Sequence, residues 1–404
     1  MYPEYMKPSL EKVAQTRAMR FELEKSGKAV YPPMSAKERE EVLSKFHPDY
    51  KPESRRKISV GPNRGELLTT EVVDILESHS RIKPELFDLE HPDYETDILI
   101  IGGGGAGCAA ALIAMQNGAK SIISTKLRMG DANSMMSQGG MQAAITPQDS
   151  PTLHFLDAMG GGHFDNKPDL VRALTEDGPD VVRWLEELGV VWDKDSDGNM
   201  LVLHGGDTSR KRMHSCRDYT GAVIMRTLMD EVRNHPDKIT VLEFMPTVEL
   251  IMDNKGRCAG GILYNMETEE YFMVKAKATI IATGGYGRLH INGGVEINDH
   301  CESNIHGLYV AGEASGGVHG RNRLMGNSVL DYNVFGRRAG KYAAEYTKSA
   351  KLGNLTLKHI TGYENELKKA RIKTDRIAPV LLPSYTPEDV RRRQLTARYE
   401  GTLR

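Results

Sequence analysis

Thr96-Asp97-Ile98-Leu99-Ile100-Ile101-Gly102-Gly103-Gly104-Gly105-Ala106-Gly107 is the stretch that decides the fold. An apolar strand runs straight into a glycine turn, and the alanine-rich segment Cys108 to Asn117 predicts a helix directly after it. Strand, turn and helix in that order make a dinucleotide cradle. Gly102 permits the tight turn, Gly104 lets the backbone approach a pyrophosphate, and Gly107 lets the helix pack close against the strand. The helix N-terminus then offers free N–H groups and a positive dipole end to the phosphates.

A nicotinamide site would carry an acidic residue about 20 positions further on, to bind the ribose 2′-OH. This chain has Ser121-Ile122-Ile123-Ser124-Thr125-Lys126 there, with no acid, which favours a flavin dinucleotide. The run Asn133-Ser134-Met135-Met136-Ser137-Gln138-Gly139-Gly140 is small and polar, suited to lie against a ring system and hydrogen-bond to it. The same composition also suits a surface loop. Far downstream, Ala278-Thr279-Ile280-Ile281-Ala282-Thr283-Gly284-Gly285 predicts a second buried strand stopped by a Gly-Gly turn. Gly307-Leu308-Tyr309-Val310-Ala311-Gly312-Glu313 predicts a further strand ending on a carboxylate, and Asn322-Arg323-Leu324-Met325-Gly326-Asn327-Ser328-Val329-Leu330 opens a helix.

With these motifs in this order, the chain resembles the flavoprotein subunit of the succinate dehydrogenase/fumarate reductase family, whose relatives include L-aspartate oxidase and adenylylsulfate reductase. The resemblance covers roughly residues 97–289 and 293–340. It implies that Gly102, Gly104, Gly105, Ala106 and Gly107 bind an FAD pyrophosphate, with Thr125 and Lys126 near the adenosine ribose. It also implies that Asn133, Ser134, Ser137, Gln138, Gly139 and Gly140 line the flavin, and that Thr283 and Gly284 belong to the cofactor site. Glu313 would bind the ribitol or ribose side, Ser328 and Val329 would sit at the ring, and Arg323 would clamp a substrate carboxylate. A guanidinium suits that last role, since it holds a carboxylate bidentately and keeps its charge at any working pH.

Two departures from the family pattern carry information. Membrane-bound members attach FAD through a histidine at the place held here by Asn133, so the cofactor is expected to be non-covalent FAD. The second departure is larger. Gly284-Gly285-Tyr286-Gly287-Arg288-Leu289-His290-Ile291 runs at once into Asn292-Gly293-Gly294-Val295-Glu296-Ile297-Asn298, where family members carry a whole capping domain. That domain supplies further FAD and substrate contacts and the arginine proton donor, and the histidine usual before the second Gly-Gly is also gone. Both flanks are intact up to the join, which points to a segment missing from these residues rather than to a natural loss. Arg323 is then the one member of the expected active-site set that this sequence names.

The 404 residues suit two or three domains. A net charge of −2 gives no sign of a nucleic-acid partner. Mean hydropathy is −0.45, and no apolar run approaches the ~20 residues that span a bilayer. The N-terminus has no signal-peptide core, so a soluble cytoplasmic chain is expected, peripheral to a membrane only through partner subunits. Cys108, Cys216, Cys258 and Cys301 form no CxxC group, so no iron–sulfur cluster, zinc or other metal site is expected.

Residues 1–95 read as an N-terminal extension wrapping the core or a partner, with helical character over Lys7 to Lys25 and a capping box at Ser35-Ala36-Lys37-Glu38. Residues 96–291 and 292–347 form the two parts of an FAD-binding domain, and 348–404 a short helical tail. Pro168 to Gly189 predicts two helices broken near Gly178-Pro179. Thr208 to Gly221 is a basic cluster that suits either a contact next to the flavin or a solvated loop with His214 as a cap; His204 is uncommitted. Asp253-Asn254-Lys255-Gly256 between apolar runs marks a hairpin. The fold class is therefore α/β: a Rossmann-like FAD-binding domain of the glutathione-reductase type, a parallel sheet with a small antiparallel layer.

The leading functional expectation is hydride transfer between FAD and a C4-dicarboxylate, fumarate or succinate, with electrons exchanged with an iron–sulfur partner subunit. Within enzymes the alternative is another FAD-dependent carboxylate oxidoreductase, such as L-aspartate oxidase or an enoate reductase. A different class is a capless FAD-binding subunit that relays electrons or scaffolds a complex.

Overall fold

A computed structural model describes residues 4–28, 34–47, 50–285 and 294–380. The join at 291/292 and the end of the proline-marked tail lie outside these residues. The described chain divides into two units, one comprising residues up to Ile58 together with Gly65–Val73, the other Ser59–Arg64 and the residues from Asp74 onward.

The first unit holds helices α1 (Lys7–Lys25) and α2 (Ala36–Phe46) and the antiparallel pair β1 (Arg55–Lys57) and β2 (Leu67–Thr69). Ser35 caps α2 as its sequence predicts, its hydroxyl accepting from Glu38 N–H while the Glu38 carboxylate accepts from Ser35 N–H. Helix α3 (Thr70–Leu76) leads out of this region.

The second unit is built on β3 (Tyr94–Ile101), α4 (Gly105–Gln116) and β4 (Ser121–Thr125), followed by β5 (Met141–Gln142), α5 (Pro151–Gly161), α6 (Pro168–Glu187), β6 (Leu203–His204), β7 (Lys211–His214) and α7 (Thr220–Arg233). Then come β8 (Ile239–Glu243), β9 (Thr247–Asp253), β10 (Cys258–Tyr264), β11 (Tyr271–Ile281), β12 (Val295–Glu296), β13 (Leu308–Val310), β14 (Ser315–Gly316), α8 (Asn327–Thr347), β15 (Leu355–Thr356) and α9 (Lys358–Lys369). The main sheet runs β15-β9-β10-β11-β3-β4-β8, with β13 also paired to β11.

Strand β11 joins the two layers. Its first half pairs antiparallel with β10, and its second half lies parallel between β3 and β13. Because β8, β4, β3, β11 and β13 are parallel, the ends of β3, β4, β11 and β13 come to one edge: Ile281 lies opposite both Ile101 and Val310, and Ile101 opposite Ser124. Ligands of open α/β sheets bind at that carboxyl edge. The antiparallel layer closes through Asp253, whose buried carboxylate accepts from the backbone N–H of Lys255, Arg257 and Gly353 and from the Arg257 guanidinium.

Residues 168–187 form one helix, not the two expected, and Pro179 lies inside it. Proline removes a hydrogen bond and disfavours a helix interior by about 3 kcal/mol. Leu170, Val171 and Leu174 before it and Val181, Val182 and Leu185 after it are all buried. Burial at ~1.5–3 kcal/mol for each such side chain outweighs the break.

Helix α8 packs along α4 on a seam of small residues. A Cβ on Gly336 would lie 2.6 Å from the Ala106 carbonyl oxygen, and one on Gly340 would lie 2.3 Å from that of Ala110. Only glycine lets the two backbones approach this closely.

Candidate functional site

The glycine turn has the geometry its spacing requires. Gly102 has φ +121°, and a Cβ there would lie 2.2 Å from the Ala282 carbonyl oxygen at the end of β11. A Cβ on Gly107 would lie 1.9 Å from the Gly102 carbonyl oxygen, so α4 can start this close to β3 only with glycine at that place. Gly104 caps α4 without a side-chain hydrogen bond, which leaves the helix start open to an anion. A Cβ on Gly104 would meet only Ala132 Cβ at 3.2 Å and Ser134 Oγ at 3.7 Å, and would partly fill the cradle. The Gly105 N–H donates to Ser134 Oγ at 3.3 Å.

The other predicted segments gather around this turn. Thr125 ends β4 with its side chain against Gly103, and Lys126 follows it, exposed. Residues Asn133–Met136 form a 3-10 turn seated on the start of α7: Gly221 N–H donates to the Ser137 carbonyl at 2.7 Å, and Thr220 Oγ1 donates to that of Gln138. A Cβ on Gly139 would lie 3.6 Å from Met325 Sδ; Gly140 has φ +115° and abuts the His214 carbonyl. Thr283 and Gly284 follow β11, and a Cβ on Gly285 would strike the Glu313 carboxyl carbon at 2.5 Å. Glu313 therefore lies against the second glycine turn. Ser328 and Val329 occupy the first turn of α8, whose cap, Gly326, is left-handed at φ +85° and offers no side-chain hydrogen bond.

Buried polar atoms cluster between these segments. Gln142 Oε1, His214 Nδ1, Asn333 Oδ1 and Tyr332 OH have no hydrogen-bond partner among the described residues. Tyr332 packs on Gly105, Asn333 bonds Val329 O and touches Met141 Sδ, and Gln142 contacts Gly326. An open anion-binding helix start, a cradle held open by glycines and unpaired polar atoms beside a second helix start together fit a bound dinucleotide with a polar ring.

Arg323 is exposed, and among the described residues its one hydrogen bond is to the Leu324 carbonyl at 3.3 Å. His319 Nε2 pairs with Asp331 at 2.8 Å, and the fully buried His214 bonds the Ala143 carbonyl, burial holding its pKa below the usual imidazole range. His290 lies outside the described residues.

The basic cluster before α7 is solvated only in part: Arg210, Lys211 and Arg217 are exposed. It contains β7, and Arg212 is buried with both ends of its guanidinium engaged: Nε and Nη2 on Asp149 at 2.7 and 2.9 Å, Nη1 on Asp157 at 2.6 Å. Asp157 also accepts from Ser209 N–H and Oγ–H. His214 is a strand residue rather than a cap. Sequence reading missed this triad because its members lie 63 and 55 residues apart. No local pattern marks the pairing, although one carboxylate just before a helix and a second within it, ahead of a cationic strand, are a usable hint.

Residues 97–292 and 288–329 match the FAD binding domain family. An uncharacterized FAD-dependent oxidoreductase of Methanocaldococcus jannaschii is 27% identical over 403 residues, covering 65% of this chain and 74% of that one. A fumarate reductase (CoM/CoB) subunit of Methanothermobacter marburgensis is 37% identical over 207 residues, 50% of this chain and 37% of that one. The L-aspartate oxidase of Streptomyces coelicolor is 34% identical over 197 residues, 48% of this chain and 34% of the other. The chain thus spans little more than a third of these last two relatives. Among solved structures, the Mycobacterium smegmatis Sdh1 complex shares the fold at a TM-score of 0.62 (22% identity; 67% of this chain, 72% of that one). The E. coli quinol fumarate reductase does so at 0.62 (19%; 68% and 74%). No helix among the described residues is long and apolar enough to cross a membrane. Family match, relatives and fold agree with the cradle: this chain belongs to the FAD-binding domain family, and the relatives it resembles include a fumarate reductase subunit and L-aspartate oxidase.

Proposed function

We propose that this chain is the FAD-binding portion of a flavoprotein subunit that exchanges a hydride with a C4-dicarboxylate, fumarate or succinate, using non-covalent FAD. The observation that carries the reading is the place of Arg323: an exposed guanidinium in the segment leading into the open start of α8, where Ser328 and Val329 would meet the flavin ring. When bound, FAD supplies the hydride or accepts it.

The chain's own residues hold and orient. Gly102 to Gly107 and the start of α4 take the pyrophosphate, and Thr125 and Lys126 the adenosine side. Glu313 takes the ribitol or ribose side, and the 133–140 loop and α8 take the ring. Arg323 grips one substrate carboxylate bidentately and draws electron density toward it. Asn133 offers no imidazole for a covalent flavin bond.

The proton donor and the lid that excludes water belong to a capping domain between Ile291 and Asn292. Two features support its absence from this sequence. The family match breaks into two pieces that meet at that place. The alignment to the M. jannaschii relative also runs over 403 residues while taking in only 65% of this chain. On this reading the subunit's electron partner is an iron–sulfur protein, as the family resemblance implies. The L-aspartate oxidase reading is the second choice, favoured by the 34% identical relative and by Asn133.

The test uses the FAD-loaded chain. Acid precipitation should release all of the yellow chromophore, and millimolar fumarate or succinate should perturb the flavin absorbance. Flavin retained on the denatured polypeptide would refute non-covalent binding. A spectrum that responds to L-aspartate but not to fumarate or succinate would favour the second reading, and one that responds to none would refute Arg323 as a carboxylate clamp in this chain.

A further inference from the structure

His154 is a fully buried titratable side chain with no role so far. It lies on α5, its Nε2 is 2.9 Å from Oδ1 of Asn327, and its Nδ1 has no partner among the described residues. Asn327 is 1% exposed and is the first residue of α8. With left-handed Gly326 as a cap that contributes no side chain, no side chain covers the start of α8; the Asn327 N–H donates to the Leu324 carbonyl at 3.2 Å, and the positive end of the dipole has no capping side chain over it. Helix α5 is itself pinned. Arg212 grips Asp149, just before the N-cap Ser150, and Asp157, one turn beyond His154, so the imidazole is fixed along the chain by an ion triad rooted in β7.

The geometry points to His154 as a positioning residue of the flavin site: a buried imidazole that fixes the Asn327 side chain and so aims the N-terminus of α8 at the bound ring. This inference rests on the proposal that Ser328 and Val329 lie at the flavin. Burial pushes the imidazole down to about 4, the bond to Asn327 opposing it, so the ring is neutral at working pH and adds no charge to the site. A helix N-terminus aimed at the ring favours whichever redox form carries more negative charge, which is the two-electron-reduced flavin. Loosening Asn327 should weaken binding of the reduced form more than that of the oxidised form.

The experiment compares wild type, His154→Leu, His154→Gln, Asn327→Ala and the Leu/Ala double variant as FAD-loaded full-length chain. FAD affinity is read by flavin fluorescence and midpoint potential by equilibration with redox dyes. In His154→Leu the ratio of reduced to oxidised FAD affinity should fall about tenfold, which is about 30 mV for a two-electron couple. His154→Gln, whose amide reaches toward Asn327, should recover most of that shift. The double variant should shift no further than either single change, because both remove one interaction. A folded His154→Leu protein with the wild-type potential overturns the inference, even if its melting temperature drops. If His154→Leu does not fold, Asn327→Ala decides: a lowered potential supports the inference and an unchanged one overturns it. Failure of the wild-type chain to bind FAD is seen first, and refutes the flavin site itself and this inference with it.

Discussion

Gly107→Ala gives the most direct test of the cradle. The added methyl would lie 1.9 Å from the Gly102 carbonyl oxygen, 3.1 Å from its carbon and 3.4 Å from Ile100 Cγ2. Restoring an ordinary contact moves the start of α4 away from β3 by roughly 1.5 Å, since a carbon and an oxygen rest about 3.4 Å apart, near the 3.5–4.0 Å optimum of non-bonded heavy atoms. That movement has two consequences. The α4–α8 seam, packed backbone to backbone at Gly336 and Gly340, is strained, and overpacking of this kind costs about 1–3 kcal/mol. The N–H groups at the cradle also leave the pyrophosphate by about half a hydrogen-bond length, and a bond to a charged group contributes about 1.5–3 kcal/mol. Loss of one such bond weakens FAD binding roughly tenfold to a hundredfold. Urea unfolding of the apo chain reads the first effect and fluorescence titration with FAD the second. Gly118→Ala is the control: its φ is +86° but no atom lies within 4 Å of the new methyl, so it should lose about 1 kcal/mol of stability and keep its FAD affinity. Wild-type stability and FAD affinity in Gly107→Ala would refute this account of the turn.

Arg212→Met leaves the buried Asp149 and the partly buried Asp157 without their cation, and should destabilise the chain by about 3–5 kcal/mol in urea unfolding. A loss below about 1 kcal/mol would show the triad to be solvated. Asp253 gives a pH signature. Burial alone would raise its pKa, but the N–H groups of Gly353, Arg257 and Lys255 and the Arg257 guanidinium hold it at about 2, below its ordinary 3.8. A folded-state value depressed this way contributes stability above about pH 4 that is lost as pH falls toward about 2, on the order of 2 kcal/mol. Asp253→Asn should flatten the stability profile across that window, and an unchanged profile would count against the hub. Arg323→Lys should retain FAD yet bind fumarate about 30-fold more weakly, near 2 kcal/mol, because an ammonium cannot reproduce the bidentate fork. Absorbance titration reads it, and loss of FAD instead would make Arg323 structural.

The sequence by itself determined whatever depends on short-range covalent order. Gly102 and Gly107 read as close-packed backbone positions because the strand–turn–helix connection leaves room for nothing else, and the structure puts the would-be methyl of Gly107 on the Gly102 carbonyl. The Ser35 capping box and the Asp253 to Gly256 turn were legible for the same reason: their partners lie within four residues. Thr125, Thr283 and Glu313 were each legible as lying at or after the end of a strand, and the parallel pairing of β4, β3, β11 and β13 is what brings those ends to one edge. Tertiary packing decided the rest. Pro179 should have broken α6, and did not, because the buried face on both sides of it outweighs one missing hydrogen bond. The cations before α7 read equally as a flavin contact or a solvated loop; β7 carries Arg212 alone of them into the interior, where only the folded chain supplies Asp149 and Asp157. The His154–Asn327 contact spans 173 residues of sequence. Such pairs are set by how helices dock, and a buried polar group must be satisfied wherever the fold takes it, so composition and spacing along the chain carry no trace of which partner it will meet.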